Sequence, residues 1–429
     1  MKSNSLVPLK GLISASIVMS GSKSYTNRAL IMAALVKGKS VITGISICND
    51  SLIMIKALRQ LGVKITQVGT RLEIIGNGGV FKKRRLLINV DHAGTAMRFL
   101  TAVCSIVPGE IILDGSERMR QRPVGELVNA LRQLGVRIEY LKTTGCPPLK
   151  IFGARISKNK VLMKGKISSQ FFTALLLLGS ALENGLNIKV AGEQISKSYI
   201  NMTIAGLKQF GAKVINDHYQ RYLITNQEKL KPTQYHVEGD ASGASYFWGF
   251  AAITGSRIRI KNINPESLQG DVKFPDILQK MGCQVIKNNS QQWIEVKGTG
   301  NLKAINVDMS LMPDTAQTLA VIAAFAEGKT KITGLSTLRI KETDRLQALK
   351  NELGKVGIKS TITRDSIIVV GGKPKGNMID VYNDHRMAMA FAIMGTKIPG
   401  IIITNPDVVS KSFPHYWKKL ASLGIKFIS

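Results

Sequence analysis

The sequence predicts an α/β protein of the α+β type made of six repeated units, and three observations support this prediction. A short segment recurs along the chain, and residues 57–65 (ALRQLGVKI) and 130–138 (ALRQLGVRI) are nearly identical copies. Four weaker copies follow, so that the shared glycines recur about every 70 residues, as in repeat proteins: Gly62, Gly135, Gly211, Gly282, Gly357 and Gly424. Each unit also contains an earlier, more apolar helical segment.

The recurring segment predicts the end of a helix and the start of a strand. Leu and Ile recur at helical spacing up to the glycine, which readily adopts the left-handed conformation that terminates helices. An apolar–basic–apolar triplet follows in most copies and is typical of a strand. A hairpin is expected after it, for example residues 63–66 with 71–75 and residues 284–287 with 293–296.

The earlier helix of each unit has apolar residues on nearly every side, so we expect it to be buried. The six helices should begin near Tyr25, Thr95, Ser169, Ala241, Pro313 and Arg386. Each should lead into a short strand, at residues 40–44, 110–114, 186–190, 256–260, 329–333 and 401–404. Three units per half predict two lobes, with buried helices inside, sheets around them and a boundary near residues 237–240.

The composition restricts the class of protein. At 429 residues, with 44% hydrophobic residues and a mean hydropathy of +0.07, the chain suits two or three globular domains. It contains no apolar window long enough for a membrane span and no secretory signal at its start, so we expect a cytoplasmic protein without a membrane partner. The four cysteines and five histidines are scattered, which argues against disulfides and against a metal site.

The net charge of +31 indicates anionic partners. Such a charge suits nucleic acid or small polyanionic substrates. The basic residues are spread over every unit rather than collected in a tail, and aromatic residues make up only 6% of the chain. Charge alone therefore leaves both kinds of partner open.

Polar and cationic residues collect where the predicted helices begin. Helix N-termini offer N–H donors and a partial positive charge, and Lys, Arg and Ser at the same places build phosphate or carboxylate sites. If the repeats are pseudo-symmetric, these helix ends meet in one cleft between the lobes. Asp314 and Glu342 are carboxylates among the cations and could orient a hydroxyl or move a proton. The cations are Lys23, Arg28, Arg98, Arg122, Lys341, Arg345, Arg386 and Lys411.

Simpler interpretations of single residues stay open. Ser, Asp and Asn at a helix start are most often ordinary caps. Gly94 could be a turn glycine, and a lone His385 is more often structural than catalytic. Capping does not require arginine, however, so the set of cations favours an anion-binding cleft. The sequence contains no P-loop motif, which argues against nucleotide hydrolysis.

Nine short motifs are spread along the chain, and the most specific are residues 341–345 (KETDR) and 383–388 (NDHRMA). The others are 21–24 (GSKS), 93–98 (AGTAMR), 122–123 (RP), 168–170 (SSQ), 239–242 (GDAS), 313–314 (PD) and 411–414 (KSFP). Together they resemble the 5-enolpyruvylshikimate-3-phosphate synthase family. The resemblance implies a two-lobed inside-out α/β barrel with three repeats per lobe. It also implies an N-terminal lobe of residues 20–239, a C-terminal lobe of residues 1–19 and 240–429, and an active site in the cleft between them.

The same resemblance implies transfer of the enolpyruvyl group of phosphoenolpyruvate to the 5-hydroxyl of shikimate-3-phosphate, with release of phosphate, in aromatic amino-acid biosynthesis. It implies a monomer that needs no metal, cofactor or nucleic acid. Protons would be handled by Lys23, Asp314 and Glu342. Shikimate-3-phosphate would be bound by Lys23, Ser24, Arg28, Ser168, Ser169, Gln170, Ser196, Tyr199, Asp314 and Lys341. Phosphoenolpyruvate would be bound by Lys23, Gly94, Arg122, Gln170, Arg345, Arg386 and Lys411.

Four positions depart from the family pattern. His92 and Thr337 each stand where Asn is common, while Phe99 and Ser198 stand where Pro is common. We expect Phe99 and Ser198 to be packing changes, whereas His92 and Thr337 should alter contacts near the substrates. Gly94 leaves room beside phosphoenolpyruvate, so glyphosate is expected to compete with it.

Two other functions are weaker alternatives. The related transferase that acts on UDP-N-acetylglucosamine uses a loop cysteine as its acid, and the corresponding residues 114–120 (DGSERMR) contain none. A nucleic-acid-binding or RNA-end-processing protein would explain the charge, but the low aromatic content counts against it.

Overall fold

The computed structural model describes residues 2–225 and 229–428, and the chain divides into two compact units. One consists of Met1–Ser20 together with Glu238–Ser429 and is called the split unit below. The other is Gly21–Val237, the continuous unit. Each unit has a hydrophobic core of its own.

Each of the six repeats contributes two α-helices. The first helices are almost entirely buried, as predicted, and are α1 (Lys23–Leu35), α3 (Gly94–Cys104), α5 (Ser169–Gly179), α7 (Ala241–Thr254), α9 (Ala316–Ala323) and α11 (His385–Gly395). The second helices are α2 (Asn49–Gln60), α4 (Gly125–Gln133), α6 (Lys197–Gln209), α8 (Phe274–Lys280), α10 (Arg345–Lys355) and α12 (Tyr416–Ser422). They bury one face only, because their other face is polar and meets solvent.

The helix boundaries agree closely with the sequence pattern. The first helices begin within three residues of the predicted positions. The largest difference occurs in the fifth repeat, where a 3-10 turn, Pro313–Thr315, precedes α9; proline suits a first helical turn because the missing N–H is not needed there. All six repeat glycines have left-handed φ values, from 80° at Gly357 to 107° at Gly282, so the predicted helix ends are confirmed.

In the described residues, six four-stranded sheets follow one design, in which a central strand is parallel to one edge strand and antiparallel to the other central strand. The strands are β1 (Ser3–Val7), β2 (Ser14–Val18), β3 (Lys37–Thr43), β4 (Lys64–Val68), β5 (Arg71–Asn77), β6 (Arg84–Asn89), β7 (Gly109–Asp114), β8 (Arg137–Tyr140), β9 (Leu149–Gly153), β10 (Lys160–Lys164), β11 (Leu186–Ala191), β12 (Lys213–Asp217), β13 (Arg221–Thr225), β14 (Gln234–His236), β15 (Arg257–Lys261), β16 (Gln284–Asn288), β17 (Trp293–Lys297), β18 (Leu302–Lys303), β19 (Asn306–Asp308), β20 (Ala326–Glu327), β21 (Lys329–Thr333), β22 (Ser360–Ile362), β23 (Ile367–Val370), β24 (Met378–Ile379), β25 (Ile402–Thr404) and β26 (Lys426–Ile428).

The sheet orders are β14-β3-β5-β4, β6-β7-β9-β8, β10-β11-β13-β12, β2-β15-β17-β16, β19-β21-β23-β22 and β24-β25-β1-β26. Three of these sheets are completed by strands from distant parts of the chain. At the end of the continuous unit β14 pairs with β3, and within the split unit β2 pairs with β15 and β1 pairs with β25 and β26. The predicted strands after the first helices are confirmed as β3, β7, β11, β15, β21 and β25.

No helix within the described ranges is both long and apolar enough to cross a membrane. The four cysteines are free thiols, and three of them are buried.

Candidate active site

Asp314 is the centre of a charged cluster in the split unit. It lies on the turn Pro313–Thr315 that precedes α9, and its side chain is 20% exposed. Its Oδ1 accepts a hydrogen bond from Arg345 Nη1 at 3.1 Å, and its Oδ2 accepts one from Arg386 Nη2 at 2.8 Å. Lys341 Nζ lies 3.8 Å from Oδ1. Three cations from two segments, residues 341–345 and the start of α11, therefore hold this carboxylate in place.

Arg345 is the most deeply buried of these cations. It is the first residue of α10 and is 1% exposed. Asp384 accepts two hydrogen bonds from its guanidinium, at 2.7 and 3.2 Å, and Glu342 accepts another at 2.9 Å. Burial alone would lower the pKa of Arg345, but the carboxylates of Asp384, Glu342 and Asp314 together raise it above its ordinary value. The guanidinium therefore stays charged and fixed in orientation.

Lys411 brings a fourth cation to the cluster. It ends the 3-10 helix Pro406–Lys411, is buried, and its Nζ lies 3.7 Å from Glu342 Oε1. Arg386 also donates a hydrogen bond to the Tyr246 hydroxyl at 3.4 Å. The structure thus brings together all the site residues that the sequence predicted in this unit: Asp314, Lys341, Glu342, Arg345, Arg386 and Lys411.

Asp384 belongs to the same cluster, although sequence reasoning did not single it out. Its fully buried carboxylate accepts a hydrogen bond from the backbone N–H of Arg386 at 2.9 Å and thereby caps α11. In sequence it looks like an ordinary capping residue such as Asp344, which caps α10. Its pairing with Arg345 distinguishes it, and that pairing joins residues 39 positions apart, so no local pattern reveals it.

Lys23 begins α1 in the continuous unit and forms an ion pair with Asp50. The distance from Nζ to Oδ2 is 3.1 Å, and Asp50 is 2% exposed. A cation at a helix start adds to the positive field of the helix N-terminus, which favours anion binding. Sequence reasoning missed Asp50 because an Asp in the first turn of a helix, here α2, is commonplace.

Arg28 is buried one turn further along α1. Its Nε donates to the Thr203 hydroxyl at 2.9 Å, and its two Nη atoms donate to the carbonyl oxygens of Ser24 and Tyr199 at 2.9 and 3.1 Å. Phe99 packs against the guanidinium, with Cζ 5.7 Å from the ring centroid, and is a packing residue as predicted. Burial lowers the pKa of Arg28 to about 10. No carboxylate of residues 2–225 or 229–428 pairs with it, so its charge suits an anionic ligand.

Gly94 and Arg122 lie next to each other. A methyl group on Gly94 would be 2.8 Å from both Nη atoms of Arg122, closer than side chains normally approach. Arg98 ties the two segments together, since it donates to the carbonyl oxygens of Gly94 at 3.2 Å and Pro123 at 2.7 Å. Gly94 is the first residue of α3 and does not have a left-handed φ, so the close guanidinium rather than a turn favours glycine here.

The remaining predicted residues lie at the starts of α5 and α6. Ser168 caps α5, since its hydroxyl accepts a hydrogen bond from the N–H of Gln170 at 3.3 Å. Ser169 and Ser196 are buried, and Ser196 has a left-handed φ of 51° just before α6. Tyr199 lies in the first turn of α6, with its ring centroid 5.9 Å from Arg28 Cζ. All of them are therefore at helix N-termini, where backbone N–H groups can bind an anion.

The other departures from the family pattern have different surroundings. His92 is exposed, with Nδ1 2.8 Å from the Ser116 hydroxyl and Nε2 3.5 Å from Asp91. Thr337 is half-buried in the 3-10 helix Ser336–Ile340. Ser198 is the second residue of α6, a position that proline also tolerates, which agrees with a packing change.

Comparison with known proteins finds relatives along nearly the whole chain. A family model described as EPSP synthase (3-phosphoshikimate 1-carboxyvinyltransferase) matches residues 9–420. The 3-phosphoshikimate 1-carboxyvinyltransferase of Shewanella woodyi is 42% identical over 419 residues, which are 96% of this chain and 97% of that protein. The protein of the same name from Vibrio atlanticus is 41% identical over an alignment covering 99% of this chain and 100% of its own. The EPSP synthase structure from Acinetobacter baumannii has a TM-score of 0.81 at 26% identity, with both chains fully covered.

The family match and the named relatives define an enolpyruvyl transferase of the shikimate pathway, and the six helix-and-sheet repeats and the cations at helix starts agree with this class. The structural match confirms the mixed α/β fold that the sequence predicted. More specifically, the chain belongs to the EPSP synthase family, as its motifs indicated.

Proposed function

We propose that this enzyme transfers the enolpyruvyl group of phosphoenolpyruvate to the 5-hydroxyl of shikimate-3-phosphate and releases phosphate. The observation that carries the proposal is the Asp314 cluster, in which Arg345, Arg386 and Lys341 surround one carboxylate. Both substrates are polyanions, and their transfer chemistry needs fixed cations beside a carboxylate that can take up a proton.

Shikimate-3-phosphate would be bound mainly by the continuous unit. Arg28 supports this role, because its buried charge has no carboxylate partner among the described residues and a substrate anion would compensate it. Hydroxyl groups and helix N-termini close to it provide further donors. The complete proposed set is Lys23, Ser24, Arg28, Ser168, Ser169, Gln170, Ser196 and Tyr199, with Asp314 and Lys341 from the split unit.

Phosphoenolpyruvate would be bound by cations of both units in one active site. Arg122 offers a guanidinium that lies close to the start of α3, where glycine lets it approach because a Cβ there would be 2.8 Å from both Nη atoms. Arg345 and Arg386 are held rigidly by carboxylates, so they can bind a substrate anion without losing much side-chain entropy. The complete proposed set is Lys23, Gly94, Arg122, Gln170, Arg345, Arg386 and Lys411.

The chemistry would proceed by addition and elimination. The 5-hydroxyl oxygen forms a bond to C2 of phosphoenolpyruvate while C3 receives a proton, which gives a tetrahedral intermediate that still carries phosphate. A proton then leaves C3, the double bond forms again, and the bond from C2 to the phosphate oxygen breaks. Asp314 would orient the hydroxyl and accept its proton, while Glu342 and Lys23 would exchange protons with C3 and the leaving phosphate. The surrounding cations stabilise the departing charge.

Phosphate release tests this proposal. The protein is mixed with shikimate-3-phosphate and phosphoenolpyruvate in buffer without added metal, and phosphate and product are measured over time. Release should need both substrates together. Release with UDP-N-acetylglucosamine in place of shikimate-3-phosphate would favour the related transferase. No release with either acceptor, together with tight and salt-sensitive binding of single-stranded nucleic acid, would favour a nucleic-acid-binding protein instead.

The same proposal describes the enzyme as a cytoplasmic monomer that works without cofactor or nucleic acid. Glyphosate would compete with phosphoenolpyruvate for its active site. Free thiols support a reducing compartment. Light scattering at assay concentrations should give the mass of one chain, and nuclease treatment should leave the rate of phosphate release unchanged.

A further inference from the structure

Asp271 is a buried carboxyl group beside the Asp314 cluster that the reaction described above does not use. It lies on the 3-10 helix Gly270–Lys273, just before α8, and is 4% exposed. Gln269, two residues before Asp271, anchors the start of α7 by accepting a hydrogen bond from the N–H of Ala241 at 3.2 Å. Asp271 thus lies at the start of a first helix, as Lys23 and Asp314 do.

The Asp271 carboxyl group has too few hydrogen bonds for a buried anion. Its Oδ2 makes one short hydrogen bond with the Ser242 hydroxyl at the start of α7. Its Oδ1 has no partner in the part of the chain that the structure describes. An ionised carboxylate removed from water usually accepts several hydrogen bonds or pairs with a cation, whereas a neutral acid can remain with one.

The charged groups that face Asp271 oppose one another. Asp314 on its 3-10 turn and Asp240 just before α7 disfavour a further negative charge, while Arg386 on α11 favours one. Burial is the larger influence, and with Asp314 it raises the pKa of Asp271 to about 7. When Asp271 is protonated and neutral, the charge of Arg386 therefore remains available to Asp314 and to an incoming anion.

We propose that Asp271 is a positioning residue that holds a proton in the ligand-free enzyme and thereby preserves the attraction of Arg386 for an anionic substrate. This inference rests on the proposed function, in which Arg386 binds phosphoenolpyruvate. Ionisation of Asp271 adds a negative charge beside that arginine and weakens the binding of the substrate. The bound anion in turn favours the protonated form, so binding above neutral pH takes up a proton from solution.

The test compares the pH dependence of KM for phosphoenolpyruvate in four proteins, from pH 6 to pH 9. Asp271→Asn mimics the neutral acid at every pH, so its KM should equal that of the wild type at pH 6. The ratio of wild-type to variant KM should then rise above pH 7, by up to about tenfold per pH unit. The ionisation of the substrate itself cancels in this ratio.

Two further variants sharpen the result. The Ser242 hydroxyl favours the ionised form of Asp271, so Ser242→Ala should move the rise in KM to higher pH rather than abolish it. Asp276→Asn is the matched control, because Asp276 is 41% exposed on α8 and pairs with Lys287. It should follow the wild-type profile at every pH.

Stability provides a readout that does not depend on activity. An Asp whose folded pKa is raised binds its proton more tightly in the folded state, so it makes the protein less stable as pH rises from about 4 to about 7. Chemical unfolding at pH 5 and pH 8 should show the wild type losing stability relative to Asp271→Asn across this interval. Parallel stability and parallel KM profiles in the two proteins would overturn the inference. Absence of phosphate release from the wild type at any pH would instead refute the proposed function, while the stability comparison would still decide whether Asp271 carries a proton.

Discussion

Lys23 and Asp50 form a part-buried ion pair, with Nζ 3.1 Å from Oδ2, that connects the first residue of α1 to the first turn of α2. Asp50 is almost inaccessible to solvent, whereas the lysine side chain keeps 16% of its surface exposed. The pair therefore holds the ammonium group where a ligand can reach it, rather than concealing it in the core.

Replacing this carboxylate should impair the reaction through the position of Lys23. Asp50→Asn keeps the shape of the side chain but removes its charge, so we expect kcat/KM for both substrates to fall by about tenfold to a hundredfold. Steady-state phosphate release measures the effect. Glu183→Gln is a suitable control in the same unit, because it breaks an exposed pair with Arg155 and should leave the rate unchanged. A wild-type rate in Asp50→Asn would show that the lysine does not need this partner.

Removal of the carboxylate at the centre of the cluster should affect turnover more than binding. Asp314→Asn should reduce kcat by about a hundredfold to ten-thousandfold, the usual contribution of an acid–base group. KM for phosphoenolpyruvate should not rise, because Arg345 and Arg386 lose an internal competitor for their charge. Asp407→Asn, which disrupts only an exposed pair with Lys2, controls for a general effect of the substitution. Retention of the wild-type kcat would remove Asp314 from the mechanism.

A methyl group beside Arg122 should discriminate between phosphoenolpyruvate and glyphosate. In Gly94→Ala the new Cβ would stand 2.8 Å from both Nη atoms, so the guanidinium must move. Such crowding costs about 1–2 kcal/mol, which is about tenfold in KM for phosphoenolpyruvate. We expect the inhibition constant of glyphosate to rise by more than the KM for phosphoenolpyruvate, because the inhibitor would occupy the space that the new methyl group takes. Gly354→Ala on α10 is the control, since its Cβ would meet no atom within 4 Å.

An unchanged inhibition constant in Gly94→Ala would show that the inhibitor does not approach this glycine. It would also weaken the placement of phosphoenolpyruvate beside Arg122, because the two ligands are expected to compete. Competition can be measured separately, by varying phosphoenolpyruvate at several fixed concentrations of glyphosate.

Features of the sequence that depend on local spacing predicted the structure well, and those that depend on distant partners did not. The glycine that ends each second helix was predictable because its left-handed conformation is a local requirement. Arg345 and Arg386 were predictable because helix capping does not require arginine at a helix start. The pairing of β1 with β25 was not, since it joins opposite ends of the chain and no local pattern specifies it.

Asp384 shows the same limit within the site. It lies two positions before the predicted residue Arg386, yet helix capping alone is enough to explain an Asp at this position. The burial of Arg345 reveals the second role of Asp384, because the charge of this buried guanidinium is compensated by carboxylates and the sequence does not state which ones they are. Asp50 escaped notice for the same reason.

The two roles of Asp384 can be separated by a pair of substitutions. Asn caps a helix about as well as Asp but carries no charge, whereas Ala neither caps a helix nor carries a charge. Asp384→Asn should therefore keep the cap and lose the ion pair with Arg345, and breaking a buried pair from one side costs about 3–5 kcal/mol of unfolding free energy. Asp384→Ala should lose about 1 kcal/mol more, the usual value of a cap. Chemical denaturation measures both differences.

The same substitutions made at Asp344 provide the matched control. Asp344 also caps a helix and pairs with an arginine, Arg339, but its side chain is 37% exposed. Loss of charge there should cost at most about 1 kcal/mol, because solvent screens the pair. Both Asp384 variants should also lower kcat/KM for phosphoenolpyruvate, since Arg345 would no longer be held in one orientation. The result that would contradict this is an Asp384→Asn variant with the stability and the kcat/KM of the wild type. Glu342 and Asp314 would then be enough to hold the guanidinium of Arg345, and Asp384 would only cap α11.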